Sequence, residues 1–113
     1  MIKTQKYISD NKEKFLSELF QLLRLPSISA DPKYSKDVIE TAEMVRNNLE
    51  KIGLTNCKLF ETDGFPIVYG EKIIDSNLPT VLIYGHYDVQ PPDPIDLWKS
   101  KPFEPEIRNE KIY

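Results

Sequence analysis

The sequence predicts an α/β fold: two N-terminal helices packed on a mixed β-sheet. Three observations lead there. Apolar residues recur at helical spacing over the first half of the chain. Thr80–Tyr84 is a continuous apolar run, the pattern of a strand covered on both faces, which implies helices on either side of a sheet. The final residues alternate like a β-hairpin.

In the first segment Ile8, Phe15, Leu19, Leu22 and Leu23 recur at spacings of three, four or seven and share one helix face. Two starts fit the pattern. Asp10 with Glu13 can form a capping pair, or the helix can begin near Thr4 and run straight through. Pro26 ends it, because a residue before proline, here Leu25, is pushed out of the helical region. After a loop over residues 26–34, Ser35 is the expected N-cap of a second helix. Val38, Ala42, Val45, Leu49 and Ile52 make its buried stripe. Gly53 suits a left-handed stop, with Leu54 packing back on the last turn.

Beyond Leu54 the chain is strand-like. Lys58–Glu61 is short and ambiguous, Pro66–Gly70 is a better strand, and Asp63-Gly64 between them form a turn. Thr80–Tyr84 is the expected central strand. Five of the nine prolines then fall between Pro91 and Pro105, which excludes a helix or central strand there. That stretch is an irregular loop holding Trp98 and Phe103, of a length that in compact domains tends to carry function. Glu106–Arg108 and Lys111–Tyr113 flank a turn at Asn109-Glu110.

The whole is one small domain spanning 1–113, with 40% hydrophobic and 29% charged residues, an ordinary globular balance. A net charge of −3 and the lack of a basic stripe with aromatics argue against a nucleic-acid partner. The single Cys57 rules out an intramolecular disulfide and a Cys-x-x-Cys zinc site, and favours a reducing compartment. The polar N-terminus does not read as a secretion signal, and no stretch approaches the roughly 20 apolar residues of a membrane span. The expectation is a cytoplasmic protein with no membrane partner.

Chemistry concentrates where the expected central strand ends, in Gly85-His86-Tyr87-Asp88-Val89-Gln90-Pro91-Pro92. In open α/β sheets this edge is where ligand sites form. His86 is the only histidine. Asp88, two residues on, points the same way on an extended backbone. A metal-bound imidazole normally donates its second N–H to a carboxylate, which Asp88 can supply. From His-x-Asp alone two readings stand: a metal ligand with its orienting acid, or a structural histidine hydrogen-bonded to a carboxylate. A catalytic zinc ion takes about three protein ligands, so one imidazole does not make a site.

The run Leu82-Ile-Tyr-Gly-His-Tyr-Asp-Val-Gln-Pro-Pro92, followed by Asp96-Leu97-Trp98, Pro102-Phe103-Glu104-Pro105 and Ile107-Arg108…Lys111-Ile112-Tyr113, resembles the co-catalytic zinc exopeptidases. That family holds carnosine-type dipeptidases, acetylornithine deacetylase and succinyl-diaminopimelate desuccinylase. The Tyr-Asp-Val-Gln-Pro form leans toward the dipeptidase branch. Leu23-Arg24-Leu25-Pro26-Ser27-Ile28-Ser29 and the helix ending at Gly53-Leu54 resemble the family's opening, so the likeness covers essentially the whole chain.

The resemblance implies a metal-dependent hydrolase of peptide or amide bonds acting on small peptides or acylated amino acids. His86 would be a ligand to one metal and Asp88 the catalytic-site acid that holds it. The cofactor would be a pair of zinc ions, with manganese or cobalt sharing such ligands. No substrate-binding residue is assigned. Trp98 and Phe103 are expected to pack the loop; Tyr87 either lines the cleft or packs. Ser27 and Ser29 read as loop and cap residues, and the lack of a spare histidine base argues against a serine hydrolase. The family's bridging Asp, Glu-Glu pair, second ligand histidine and lid domain have no counterpart here. Asp93, Asp96 and Glu104 are expected to be solvated. The chain therefore reads as the N-terminal portion of a metallopeptidase catalytic domain, inactive alone. The alternative is a stand-alone module that associates, as a homo-oligomer for example, through exposed sheet edges. The glycine that family members often carry at the hairpin turn is replaced by Asn109, which leaves the turn type open.

Overall fold

The computed structural model describes residues 2–113, which form two compact units: residues up to Leu25 together with Pro92–Tyr113, and Pro26–Pro91.

In the first unit the helical stretch begins near Thr4, as one expected start has it, but does not run straight through. Helix α1 (Lys3–Asp10) and helix α2 (Lys12–Leu23) are separated by a break at Asn11, whose backbone has φ −112° and ψ 11°. The Asn11 backbone N–H and side-chain amide both donate to the Tyr7 carbonyl, at 3.1 and 2.9 Å. This competition between side chain and helix ladder is typical of asparagine. The Tyr7 and Phe15 rings pack across the break with centroids 5.9 Å apart. The expected Asp10–Glu13 capping pair does not form; Asp10 instead pairs with Lys6 at 2.7 Å. The stripe is only partly covered: Phe15, Leu22 and Leu23 are half-buried, while Ile8 and Leu19 are exposed.

The same unit contains the proline-rich loop, a one-turn 3₁₀ segment (Ile95–Leu97), and a hairpin of β3 (Ile107–Arg108) and β4 (Lys111–Ile112). The hairpin turn is now fixed. Asn109 and Glu110 have φ of 49° and 62°, and positive φ at both central residues is the type I′ geometry that matches strand twist. Trp98 Nε1 donates to the Pro92 carbonyl at 2.8 Å, tying the loop to itself, while the indole stays exposed.

The second unit is built on helix α3 (Ser35–Lys51), packed on an antiparallel pair of β1 (Thr55–Phe60) and β2 (Ile67–Glu71). Ser35 is not the N-cap. Its hydroxyl donates to the Pro32 carbonyl, and Asp31 instead caps the preceding 3₁₀ turn (Pro32–Tyr34) by accepting from the Lys33 N–H. At the other end, Gly53 has φ +90°, its N–H bonds to Glu50 O, and the Leu54 N–H bonds to Leu49 O. These are the two bonds of a Schellman stop. Val38 and Ala42 are fully buried with Ile28, and Val45 and Leu49 are half-buried. Ile52, expected in the stripe, is 69% exposed because it is the C-cap, where the chain leaves the helix face. Thr41 is buried at no polar cost, since its hydroxyl donates to Asp37 O.

At Gly70 β2 packs tightly against the end of the helix and its neighbours. A Cβ there would lie 3.0 Å from Cys57 Sγ, 3.2 Å from Leu54 and 3.3 Å from Leu49. Between Thr55 and Lys58 the strand register is irregular, with Asn56 at φ 52°.

The α/β class is as expected, but the central strand is not. Thr80–Tyr84 has no strand partner among the described residues, and Val81, Leu82, Ile83 and Tyr84 are 80–89% exposed. A strand is stable only when neighbours accept its N–H and C=O groups. Here β1 and β2 satisfy each other as a hairpin, and among the described residues no strand pairs with residues 80–84.

Candidate metal-ligand site

The site is organised by a short parallel crossing between two loops of the second unit. Ile28 and Val89 form a parallel bridge, with the Val89 N–H donating to Ser27 O at 2.9 Å. Ile28 is buried at 1% exposure and anchors its loop in the core. Because successive side chains on extended backbone alternate, this crossing sets Ser27 and Ser29 against the His86–Asp88 segment.

The two serines, Asp88 and Tyr87 each have a hydrogen-bond partner there. The Ser27 hydroxyl, itself buried, donates to Tyr87 O at 2.9 Å. The Ser29 hydroxyl donates to Asp88 Oδ2 at 2.5 Å. Asp88 Oδ1 lies 3.0 Å from His86 Nδ1, and the Asp88 carbonyl is also 3.0 Å from that nitrogen. Tyr87 donates its hydroxyl to Pro66 O at 2.6 Å.

These contacts have electrostatic consequences. The Ser29 hydrogen bond is the main cause that holds the Asp88 carboxyl below its usual range; burial, second in size, opposes it, and the His86 contact adds a smaller lowering. Burial, with the Asp88 charge second, pushes the Tyr87 phenol up. An ionised Asp88 accepts from His86 Nδ1–H, so the neutral imidazole carries its proton on Nδ1 and leaves the Nε2 lone pair free. The His86 side chain is 76% exposed, so Nε2 faces solvent. A carboxylate on one ring nitrogen is also what metal-bound imidazoles generally have.

The two sequence-identified residues, His86 and Asp88, are therefore brought together. Ser27 and Ser29, read as loop and cap residues, lie in a loop and hydrogen-bond to the Tyr87–Asp88 segment. Their two-residue spacing is the only trace in the sequence, and what gives it meaning is a contact across some sixty residues of chain. Asp93 and Asp96 are exposed, and Glu104 is exposed beside Lys101 at 3.4 Å, as expected of solvated acids. No three His, Cys, Asp or Glu side chains converge among the described residues. The donor set thus fits a metal as one ligand plus its orienting acid, not as a full coordination sphere. Among the described residues no helix is long and apolar enough to cross a membrane.

No protein-family model matches the chain. Individual proteins do. It is 34% identical over 116 residues to a Cys-Gly metallodipeptidase of Candida albicans, covering 92% of this chain and 24% of that protein. It is also 34% identical to the corresponding enzyme of Schizosaccharomyces pombe, covering 95% of this chain and 24% of the relative. A succinyl-diaminopimelate desuccinylase of Xylella fastidiosa is 29% identical over 98 residues, with 87% and 25% covered. Among solved structures, a di-peptidase from Saccharomyces cerevisiae superposes with a TM-score of 0.82 at 28% identity, over 91% of this chain and 24% of that one. An M20 family metallo-carboxypeptidase from Sulfolobus solfataricus superposes at 0.76 with 42% identity, over 87% and 22%. The chain spans about a quarter of the length of the curated relatives it matches. Over about nine-tenths of its own length the chain is thus similar, in sequence and in fold, to metallodipeptidases, a desuccinylase and an M20 family metallo-carboxypeptidase.

Proposed function

We propose that this chain supplies one metal ligand and its orienting carboxylate to a metal-dependent hydrolase of dipeptide or acyl-amide bonds. The observation that carries the reading is the Ser29–Asp88–His86 relay, which fixes the imidazole by Nδ1 and leaves Nε2 open to solvent. A bound zinc pair would polarise the scissile carbonyl and lower the pKa of a bridging water. The contribution of this chain to that chemistry is positional. Asp88 sets the tautomer and direction of His86, Ser29 sets Asp88, and Ser27 locks the backbone at Tyr87. Asp88 acts in catalysis through His86. Manganese and cobalt suit the same imidazole, and small peptides or acylated amino acids are the proposed substrates.

With a single ligand, the isolated chain binds zinc weakly and has no peptidase activity. Calorimetric titration with zinc tests this. The expected result is one weak site, at micromolar dissociation constant or worse, that is lost in His86→Gln. Tight binding of two ions per chain would overturn the reading.

The exposed Val81–Tyr84 run favours a second reading, a module that associates with another polypeptide or with its own copy. Sedimentation separates the two. A discrete dimer that persists in His86→Gln and is lost in Leu82→Lys favours the module; a monomer across the accessible concentration range removes it.

A further inference from the structure

The unit that carries the hairpin holds a cavity of about 550 Å³, lined by Trp98, Tyr113, Pro94, Leu97, Lys99 and Arg108 among others. Neither His86 nor Asp88 lines it, and none of its lining residues enters the ligand relay. We propose that this cavity is a binding site for a small aromatic carboxylate.

Two features select that chemistry. The first is the wall: an indole, a phenol ring, a proline and a leucine offer faces on which a planar apolar group can stack. Trp98 is held in place by its Nε1 bond to Pro92 O, so the indole face is pre-set. The second is charge. Arg108 and Lys99 both line the cavity, and no carboxylate does. The Arg108 guanidinium lies 4.0 Å over the Tyr113 ring, and its Nε sits 3.0 Å from Glu106 Oε1. That Nε is buried and its N–H is not directed at the carboxylate, so the contact is an ion pair and not a hydrogen bond. Stacking and ion pair together fix the plane of the fork. Its terminal nitrogens, and the Lys99 ammonium, form no ion pair among the described residues. A planar fork held in this way suits bidentate recognition of a carboxylate, with the ligand's ring against Trp98 and Tyr113.

The test uses the one tryptophan of the chain, whose indole N–H gives a single resonance in a ¹⁵N-labelled sample. The probes are 3-phenylpropionate and its neutral amide. The acid is expected to shift the Trp98 indole resonance saturably and to bind roughly five- to tenfold more tightly than the amide, as one charge-assisted contact at a half-open site provides. Arg108→Gln removes that preference while leaving the weak binding of the amide. Should Arg108→Gln disturb the hairpin, seen as a displaced indole resonance in the free protein, Lys99→Gln and a salt titration of the unaltered chain take its place. Both should lower the acid-to-amide ratio. Equal binding of acid and amide, absence of a saturable shift, or a ratio indifferent to Arg108, Lys99 and salt overturns the proposal. None of these readouts depends on metal or on hydrolysis.

Discussion

Replacing Ser29 by alanine removes the hydroxyl that donates to Asp88 Oδ2 at 2.5 Å. A hydrogen bond to a charged group contributes about 1.5–3 kcal/mol when well buried. The Asp88 side chain is 41% exposed, so water recovers part of the lost contact. The expected cost is therefore about 1 kcal/mol. Because the cost arises from a pair, a double-mutant cycle isolates it. Ser29→Ala, Asp88→Ala and the double variant would be compared by urea denaturation followed by far-ultraviolet circular dichroism, which reports helix α3. The expected coupling is about 1 kcal/mol in favour of the pair. A second, local readout is amide exchange at Val89, whose N–H bonds to Ser27 O across the same crossing. Its protection should fall in Ser29→Ala. If the cycle closes with no coupling beyond error and Val89 exchange is unchanged, the serine does not hold the carboxylate, and the relay to His86 loses its foundation.

Gly70→Ala places a Cβ within 3.0–3.3 Å of Cys57, Leu54 and Leu49, and should cost about 1–3 kcal/mol in thermal or urea unfolding, whereas Gly64→Ala, with only Thr62 Oγ1 at 3.8 Å, should cost far less. Glu71 accepts from the Tyr69 hydroxyl at 2.6 Å and from the Asn56 side chain, which hold its carboxyl below the usual value of about 4.5. A depressed carboxyl stabilises the fold above its unfolded value and loses that contribution as pH falls through the folded one. The stability gap between the native chain and Glu71→Gln should therefore shrink below pH of about 4.5. A gap that is constant with pH would show that the carboxylate charge is idle. Glu110→Gly relieves a non-glycine residue at φ 62° and should stabilise the β3–β4 hairpin by about 1 kcal/mol, read as increased protection of the Tyr113 amide that bonds to Glu106 O.

The sequence alone determined the local elements whose causes are local. The Schellman stop at Gly53-Leu54 follows from glycine's tolerance of positive φ, and the turn at Asn109-Glu110 lies between two short alternating runs. The His86–Asp88 contact was legible for the same reason, since two residues on extended backbone face one way. The break at Asn11 was half legible, as two competing helix starts; the break itself lies where the Asn11 side-chain amide donates to Tyr7 O. Tertiary structure decided what depends on distant chain. Ser27 and Ser29 meet Tyr87 and Asp88 only because Ile28 is buried and bridges to Val89. Thr80–Tyr84 has the composition of a covered strand, but composition supplies no neighbour, and the segment lies open. Hydrophobic pattern records what a segment is suited to bury. Whether it is buried depends on which other backbone is there to take its hydrogen bonds.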